Sequence, residues 1–389
     1  MTAPMLSPLL REVTAPPIPM ARQWAARYDG RAGPALDMTQ AVPGYPADPS
    51  LLQRLGQAAG DAAMASYGDI AGDLPLRAVL AADMSAIYGG AIAAEDVAIT
   101  AGCNLAFTMA MTTLAGPGAT VLLPTPWYFN HAMALDMLGI AARALPCRAE
   151  DGFVPDPDVA VGLIDASVRA IVLVTPNNPT GAIYPAETIH RFAALCRARG
   201  IFLVLDETYR DFLAADHGAP HALFITPTWR EHVVQLYSFS KSYCIPGHRV
   251  GAITAGPAVM QQLMKVLDTF QICPTRVPQR VLTWAIPNLR AWRDGNRDLM
   301  AGRATACRRA LMAAPGWTLD ALGTYFAYLR IPAQCADAIT VGERLAAECG
   351  LMSLPGPFFG PGQDRHLRLA FANADEAVIA QIPDRLARL

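Results

Sequence analysis

Apolar residues come in short runs separated by helical patterns from about Glu95 onward, and the runs show no polar alternation. "DVAIT" (96–100) leads through Ala101-Gly102 into the helical "NLAFTMAMTTLAG", and "TVLLP" (120–124) precedes "TPWYFNHAMALDMLG". The clearest unit is "AIVLV" (170–174), a turn, "PAETIHRFAALCRARG" (185–200) and then "IFLVLDE" (201–207). Within it Ile189, Phe192, Ala193 and Cys196 recur at helical spacing and Gly200 sits where a C-terminal cap belongs, which marks a βαβ unit with parallel strands. "VVQLYSF" (233–239) and "VGAITAG" (250–256) add two strands. Runs that are apolar throughout belong to a sheet covered on both faces. The pattern predicts an α/β protein: a mostly parallel, doubly wound sheet in a large domain over 47–283. A smaller α+β domain follows over 284–389, carrying "YFAYLRIP" and "HLRLAFAN", and is joined by an N-terminal arm, 1–46. Around Ala15-Pro-Pro-Ile-Pro19 the prolines predict an extended chain rather than a helix, since proline removes donors and fixes φ.

Composition narrows this picture. Of 389 residues, 53% are hydrophobic and only 16% charged, with a net charge of -2; this favours a large core and a buried subunit interface, and gives no reason to expect nucleic acid or an anionic membrane as partner. The eight cysteines (103, 147, 196, 244, 273, 307, 335 and 349) show no metal or redox spacing, as expected for reduced thiols in a cytosol. The N-terminus lacks a basic segment followed by a long apolar run, and no stretch of eighteen or more apolar residues occurs. A cytoplasmic protein that binds no membrane is the expectation.

Candidate chemistry begins with a scarcity. The chain has two lysines, Lys241 and Lys265, against many arginines. A guanidinium never gives up its proton near neutral pH, so an amine that must form a covalent bond cannot be replaced by arginine. Lys241, in "YSFSKSYCIPGHRVG", is therefore a candidate nucleophile. Ligands of open parallel sheets bind beyond the carboxyl ends of the strands, and the polar residues there form a coherent set. Gly102, Cys103 and Asn104 precede a helix and offer backbone amides to an anion. Tyr128 and His131 follow the second run, Asn177 and Asn178 the third, Asp206 and Tyr209 the fourth, and Ser238, Ser240, Lys241 and Arg249 the fifth. An amine, a carboxylate, a phenol, an amide, an aromatic face and an anion cradle suit a phosphorylated pyridine aldehyde.

With "SFSK" and an arginine eight residues on, "NNPTG" and "DETY" in this order, the chain resembles the fold-type I, pyridoxal-phosphate-dependent aminotransferases of class I/II over nearly its whole length. The resemblance implies that Lys241 carries pyridoxal 5'-phosphate as an imine and moves the substrate's α-proton. Asp206 pairs with the ring nitrogen, Tyr209 and Asn178 hold the ring O3′, and Tyr128 stacks on the ring, though Trp127 and Phe129 compete for that place. His131 supports Asp206. Ser238, Ser240, Arg249 and the amides of Cys103 and Asn104 bind the phosphate, with Gly102 opening the turn; the Cys103 thiol is inert. Tyr67 reaches the phosphate of a neighbouring subunit, so a homodimer with shared sites is implied. Arg368, in "HLRLAFA", clamps the substrate carboxylate.

Two departures from the family pattern bear on substrate. Ala41 in "TQAVPGYP" stands where the family often has a glycine in the segment that closes over the substrate, which tightens the pocket. Around "VLDTFQICPTRVPQ", Asp268 and Thr269 lie near where dicarboxylate-specific members carry an arginine, and Arg276 comes too late. The reading is a ping-pong transfer of an amino group from an L-amino acid to a 2-oxo acid, through pyridoxamine phosphate, without dicarboxylate preference. A C–S β-lyase, a cyclising synthase and an amino-acid oxidase on the same fold share the carbanionic step and stand as alternatives. A cofactor-binding regulator would need an N-terminal DNA-binding domain, for which the segment before Gly44 has no room.

Overall fold

The computed structural model describes residues 5–389; the first four residues of the expected 1–46 arm lie outside it. A seven-stranded sheet forms the centre of the molecule. Its strands are β1 (Val97–Thr100), β2 (Thr120–Thr125), β3 (Ala141–Pro146), β4 (Val168–Val174), β5 (Phe202–Asp206), β6 (Val233–Ser238) and β7 (Gly251–Ala255). Across the sheet they run β1-β7-β6-β5-β4-β2-β3. Only β7 is antiparallel to its neighbours, so the other six present their carboxyl ends along one rim. Both faces are covered, as the unbroken apolar runs predict. In β5, Leu203 and Leu205 enter one core with Ile171, Leu173 and Phe192, while Val204 enters the other with Val172, Phe107 and Ile253.

β3 has no counterpart in the sequence reading. It is an edge strand whose "AARALP" leaves most positions partly accessible, so neither continuous burial nor clean alternation marks it.

A second, antiparallel sheet packs at the C-terminal end. It contains β8 (Thr318–Gly323), β9 (Phe326–Arg330), β10 (Leu354–Pro355) and β11 (His366–Ala370), in the order β10-β11-β9-β8. Register places Arg368 opposite Tyr328. The expected division at residue 283 falls inside the helix Arg276–Asn288, whose Leu282, Ala285 and Ile286 pack with the first core of the large sheet. The next helix, Arg290–Met312, instead places Ala306, Cys307 and Leu311 in the core of the small sheet. We propose that the boundary lies between these helices.

The arm corrects one expectation. Residues Pro17–Ala25 are helical rather than extended. Pro17 and Pro19 occupy the first turn, where N–H groups have no intrahelical acceptor, so their missing donors cost nothing and their fixed φ suits a helix start. The extended conformation ends at Pro16 (φ -64°, ψ 135°). Ala21 is fully buried in a cluster with Phe129, Tyr328 and Phe359, and Ile18 packs against it, so the arm ties the two sheets together.

The sheets also meet at Gly181 in the turn after β4. Gly181 has φ 77°, and a Cβ there would fall 2.4 Å from the backbone of Gly323 at the end of β8. Gly181→Ala is expected to cost about 1–3 kcal/mol through a left-handed conformation forced on an L-residue. A lowered urea midpoint checks this; an unchanged midpoint would mean that the two backbones do not approach so closely.

Candidate active site

The sheet's rim opens into a cavity of about 260 Å³ between the large sheet, the small sheet and the arm. Lys241, Asp206, Tyr209, Asn178, Tyr128, Cys103, Asn104, Ser238, Ser240, Arg249, Arg368 and Ala41 all line it. Gly102 lies at its edge. Strand alternation explains why neighbouring residues separate. Asp206 ends β5 toward the cavity, whereas Glu207 turns the other way, fully buried, and accepts a hydrogen bond from Tyr88 at 2.6 Å.

β6 delivers the lysine. Ser238 ends the strand and caps a single helical turn, Phe239–Ser242, that carries Lys241. The lysine amine donates to the Ala41 carbonyl, and the Tyr45 hydroxyl reaches the Lys241 carbonyl at 3.4 Å, so segment 39–45 lies across the lysine. Lys241 keeps part of its surface accessible, but its amine is enclosed. Burial pushes the amine pKa down from its usual value to about 8, and the guanidiniums of Arg249 and Arg368 push in the same direction.

The anion cradle depends on the reversed strand. β7 runs antiparallel, so its first residue, Gly251, pairs with both Thr100 and Ser238 on the rim, and Arg249 just before it arrives at the cavity. Arg249 adopts φ 52°. Its guanidinium lies so close to Gly102 that a Cβ there would fall 2.0 Å from Nη2, and Gly102 itself has φ 94°. Only glycine meets both conditions. The helix Cys103–Leu114 starts at this point, with first-turn amides that have no intrahelical acceptor.

Asp206 is 5% exposed. One carboxylate oxygen, Oδ2, lies 3.2 Å from His131 Nε2; the other, Oδ1, accepts from the Thr208 amide at 3.0 Å and its hydroxyl at 2.7 Å. Burial alone would push the carboxyl up. His131 and the two Thr208 donors outweigh it, and the net shift is below the usual aspartate value. His131 stacks on Phe107 at 3.9 Å between centroids and meets the edge of Tyr128 at 5.2 Å. Tyr128 and Phe129 line the cavity, while Trp127 packs against Gly360 and does not. Burial pushes the Cys103 thiol well up, which favours its protonated form.

Arg368 is 2% exposed and has no carboxylate partner among the described residues. Its Nη1 donates to Asn178 Oδ1 at 3.0 Å, its Nη2 to the Thr39 carbonyl, and its Nε has no partner among the described residues. Burial lowers its pKa to about 10, so the guanidinium stays charged at neutral pH. A desolvated cation with a spare donor is a receptor for a carboxylate.

Tyr67 is not part of this cavity. It is 78% exposed and lies with Asp73, Arg276 and Arg280 in a separate surface depression. Conversely, sequence reasoning left out several lining residues. Thr208 sits inside the quoted "DETY" with no role given; Phe129 was weighed only as a rival for ring stacking. Thr39, Gln40 and Val42 also line the cavity and belong to the "TQAVPGYP" segment expected to close over the substrate, of which only Ala41 is singled out from sequence; Ile18 arrives through packing of the arm, which leaves no local signal.

The donor set fits a phosphorylated pyridine aldehyde. Three features support this: a cradle that a Cβ at Gly102 would fill, an orphaned Arg368 Nε, and a buried ionised carboxylate facing an amine of lowered pKa.

Comparison with known proteins agrees. The family model "Aminotransferase class I and II" matches residues 37–386. An arginine–pyruvate transaminase of Pseudomonas aeruginosa is 30% identical over 326 residues, 80% of each chain. An aromatic aminotransferase of Arabidopsis thaliana is 25% identical over 358 residues, 90% of this chain and 88% of its own. The aspartate aminotransferase of Thermus thermophilus, solved with maleate, shares the fold with a TM-score of 0.90 at 23% identity, covering 99% of this chain and 100% of that one.

In protein freed of cofactor, acylation of Lys241 should rise with pH about a midpoint near 8. Peptide mapping of the labelled protein measures this. A midpoint near the value of a free lysine, about 10.4, would show that the amine is not desolvated.

Proposed function

The chain belongs to the aminotransferase class I and II family, whose cofactor is pyridoxal 5'-phosphate, and from that premise we propose how its own residues divide the work and which substrates they admit. It is a transaminase. The observation that carries the residue roles is the convergence of Lys241, Asp206 and Arg368 on one cavity.

When bound, the cofactor supplies an aldehyde that links to amino groups and a cationic ring that accepts the electron pair left as the α-proton departs. Lys241 is the attachment point and then the base. Its amine is substantially unprotonated near pH 8, so it takes the proton from the substrate α-carbon and returns one during reversal. Asp206, held ionised by His131 and Thr208, keeps the ring nitrogen protonated. Asn178 and Tyr209 would hold the ring oxygen, and Tyr128 would cover the ring. Ser238, Ser240, Arg249 and the first-turn amides at Cys103 and Asn104 hold the phosphate. Arg368 holds the substrate carboxylate, kept in place by Asn178 and the Thr39 carbonyl.

Substrate class follows from the rest of the lining. With Lys241, Arg249, Arg368 and Asp206 occupied in these roles, the remaining wall is Ile18, Thr39, Gln40, Ala41, Val42, Phe129, Val174 and Pro246. None carries a charge to pair with a distal carboxylate or a cationic side chain. The favoured donor is an L-amino acid with an uncharged, predominantly apolar side chain.

A homodimer completes the reading. Tyr67, Leu74, Phe270 and Ile272 are large apolar residues 49–78% exposed. Gly68 N donates to Cys273 Sγ at 3.4 Å, which brings the segments bearing Tyr67 and Ile272 together. In a dimer this face would be covered and Tyr67 would reach the partner's phosphate site. Among the described residues no helix is long and apolar enough to cross a membrane, and a cytoplasmic location agrees with the eight free cysteines.

Mixing pure holoenzyme with single amino acids tests the reading. Leucine-, methionine- or phenylalanine-type donors should yield about one 2-oxo acid per subunit without an acceptor, reversed by adding a 2-oxo acid. Aspartate and arginine should have a kcat/KM lower by about tenfold or more, since an unpaired charge buried in the pocket costs over 1 kcal/mol. Pyruvate with ammonia, hydrogen peroxide, or a preference for aspartate would contradict it.

A further inference from the structure

The Asp206 carboxylate has more donors than His131 alone supplies, and they are unevenly placed. Oδ1 receives the Thr208 amide at 3.0 Å and the Thr208 hydroxyl at 2.7 Å, and Cys103 Sγ lies 3.8 Å away. The same hydroxyl lies 3.5 Å from that sulfur. A hydroxyl has one proton to give. The shorter contact to a charged acceptor takes it, which leaves the thiol to donate toward Oδ1 or the hydroxyl oxygen. Oδ1 is then saturated. Among the described residues Oδ2 accepts from His131 alone, which leaves one acceptor site.

We propose that Thr208 is a positioning residue: its side-chain hydroxyl locks the carboxylate of Asp206 so that Oδ2 is the one oxygen left to receive the ring N–H of the cofactor. The inference rests on the functional reading above. It assigns work to a residue in "DETY" that carries no role in that reading beyond its contact with Asp206. Thr208 also lines the cavity, and its hydroxyl is in contact with the Asp206 carboxylate.

The other groups around Asp206 do not replace this contact. His131, from the helix Phe129–Met137, engages only Oδ2. Cys103, from the helix Cys103–Leu114, is kept neutral by burial and is a weak donor. Tyr128 and Tyr209 line the same cavity, their phenols pushed up chiefly by burial, and Lys241, Arg249 and Arg368 line its other walls. Removing the hydroxyl leaves the amide as the only strong donor on Oδ1. The carboxylate is then freer to turn and more easily protonated, in line with the present downward shift, to which the hydroxyl contributes.

Thr208→Val keeps the shape and deletes the donor; Thr208→Ser restores it; Thr208→Ala is a second deletion that introduces no new branch. The readout is the dissociation constant of pyridoxal 5'-phosphate from the intact protein, measured across pH by fluorescence. Loss of one hydrogen bond to a charged group should raise that constant by roughly tenfold or more. It should also move the acid limb of the affinity profile up by about one pH unit, because Asp206 now protonates sooner. The serine variant should return both to near wild type. If the valine and alanine variants bind as wild type does, or weaken with the acid limb unmoved, the hydroxyl is merely structural and the proposal is overturned. A wild-type protein that does not bind the cofactor would instead overturn the functional reading itself.

Discussion

A charged amine taken out of water among cationic neighbours is unstable unless it sheds its proton, and the arrangement around Lys241 depends on that constraint. The lysine rides on one helical turn after β6, with guanidiniums from the reversed strand β7 and from β11 of the small sheet facing the same cavity. Both sheets therefore have to dock before the amine acquires its lowered pKa. The opposite charge is Asp206, buried, and held ionised by hydrogen bonds rather than by an arginine. Separating a neutralisable amine from an obligate carboxylate within one cavity is the condition for moving protons between them and a bound ligand.

Sheet topology supplies the geometry. Six strands point the same way, which gathers residues from five distant segments on one rim; the seventh runs backward, which brings Arg249 to that rim from the other end of a strand. Gly102 and Gly181 mark where this convergence is tightest, since at each a side chain would strike another backbone or guanidinium. The arm adds the remaining wall through Ile18 and the 39–45 segment.

Much of this was legible in the sequence because buried parallel strands write themselves as uninterrupted apolar runs. β1, β2, β4, β5, β6 and β7 each coincide with such a run, and beyond the ends of β1, β2, β4, β5 and β6 lie Cys103, Asn104, Tyr128, Asn178, Asp206, Tyr209 and Lys241 of the cavity wall. β3 was not legible because an edge strand is only partly covered and carries no such signature. The prolines of Ala15–Pro19 suggest an extended chain, but Pro17 and Pro19 fall in the first turn of a helix, where the missing donors are harmless. In the site, residues on strand ends and the 39–46 segment are legible, but Ile18, delivered by tertiary packing of the arm, is not. Thr208 stands inside a legible motif, but nothing in the sequence marks its hydroxyl as the partner of the Asp206 carboxylate. Tyr67 stays outside the cavity of its own chain.

The central claim is that one amine, at position 241, holds the cofactor covalently. Reducing the holoenzyme with borohydride and mapping its peptides tests this most directly. The account predicts a single stable pyridoxyl adduct, on the peptide containing Lys241 and absent from the one containing Lys265. An adduct elsewhere, or none on a protein that still carries its cofactor, would contradict it.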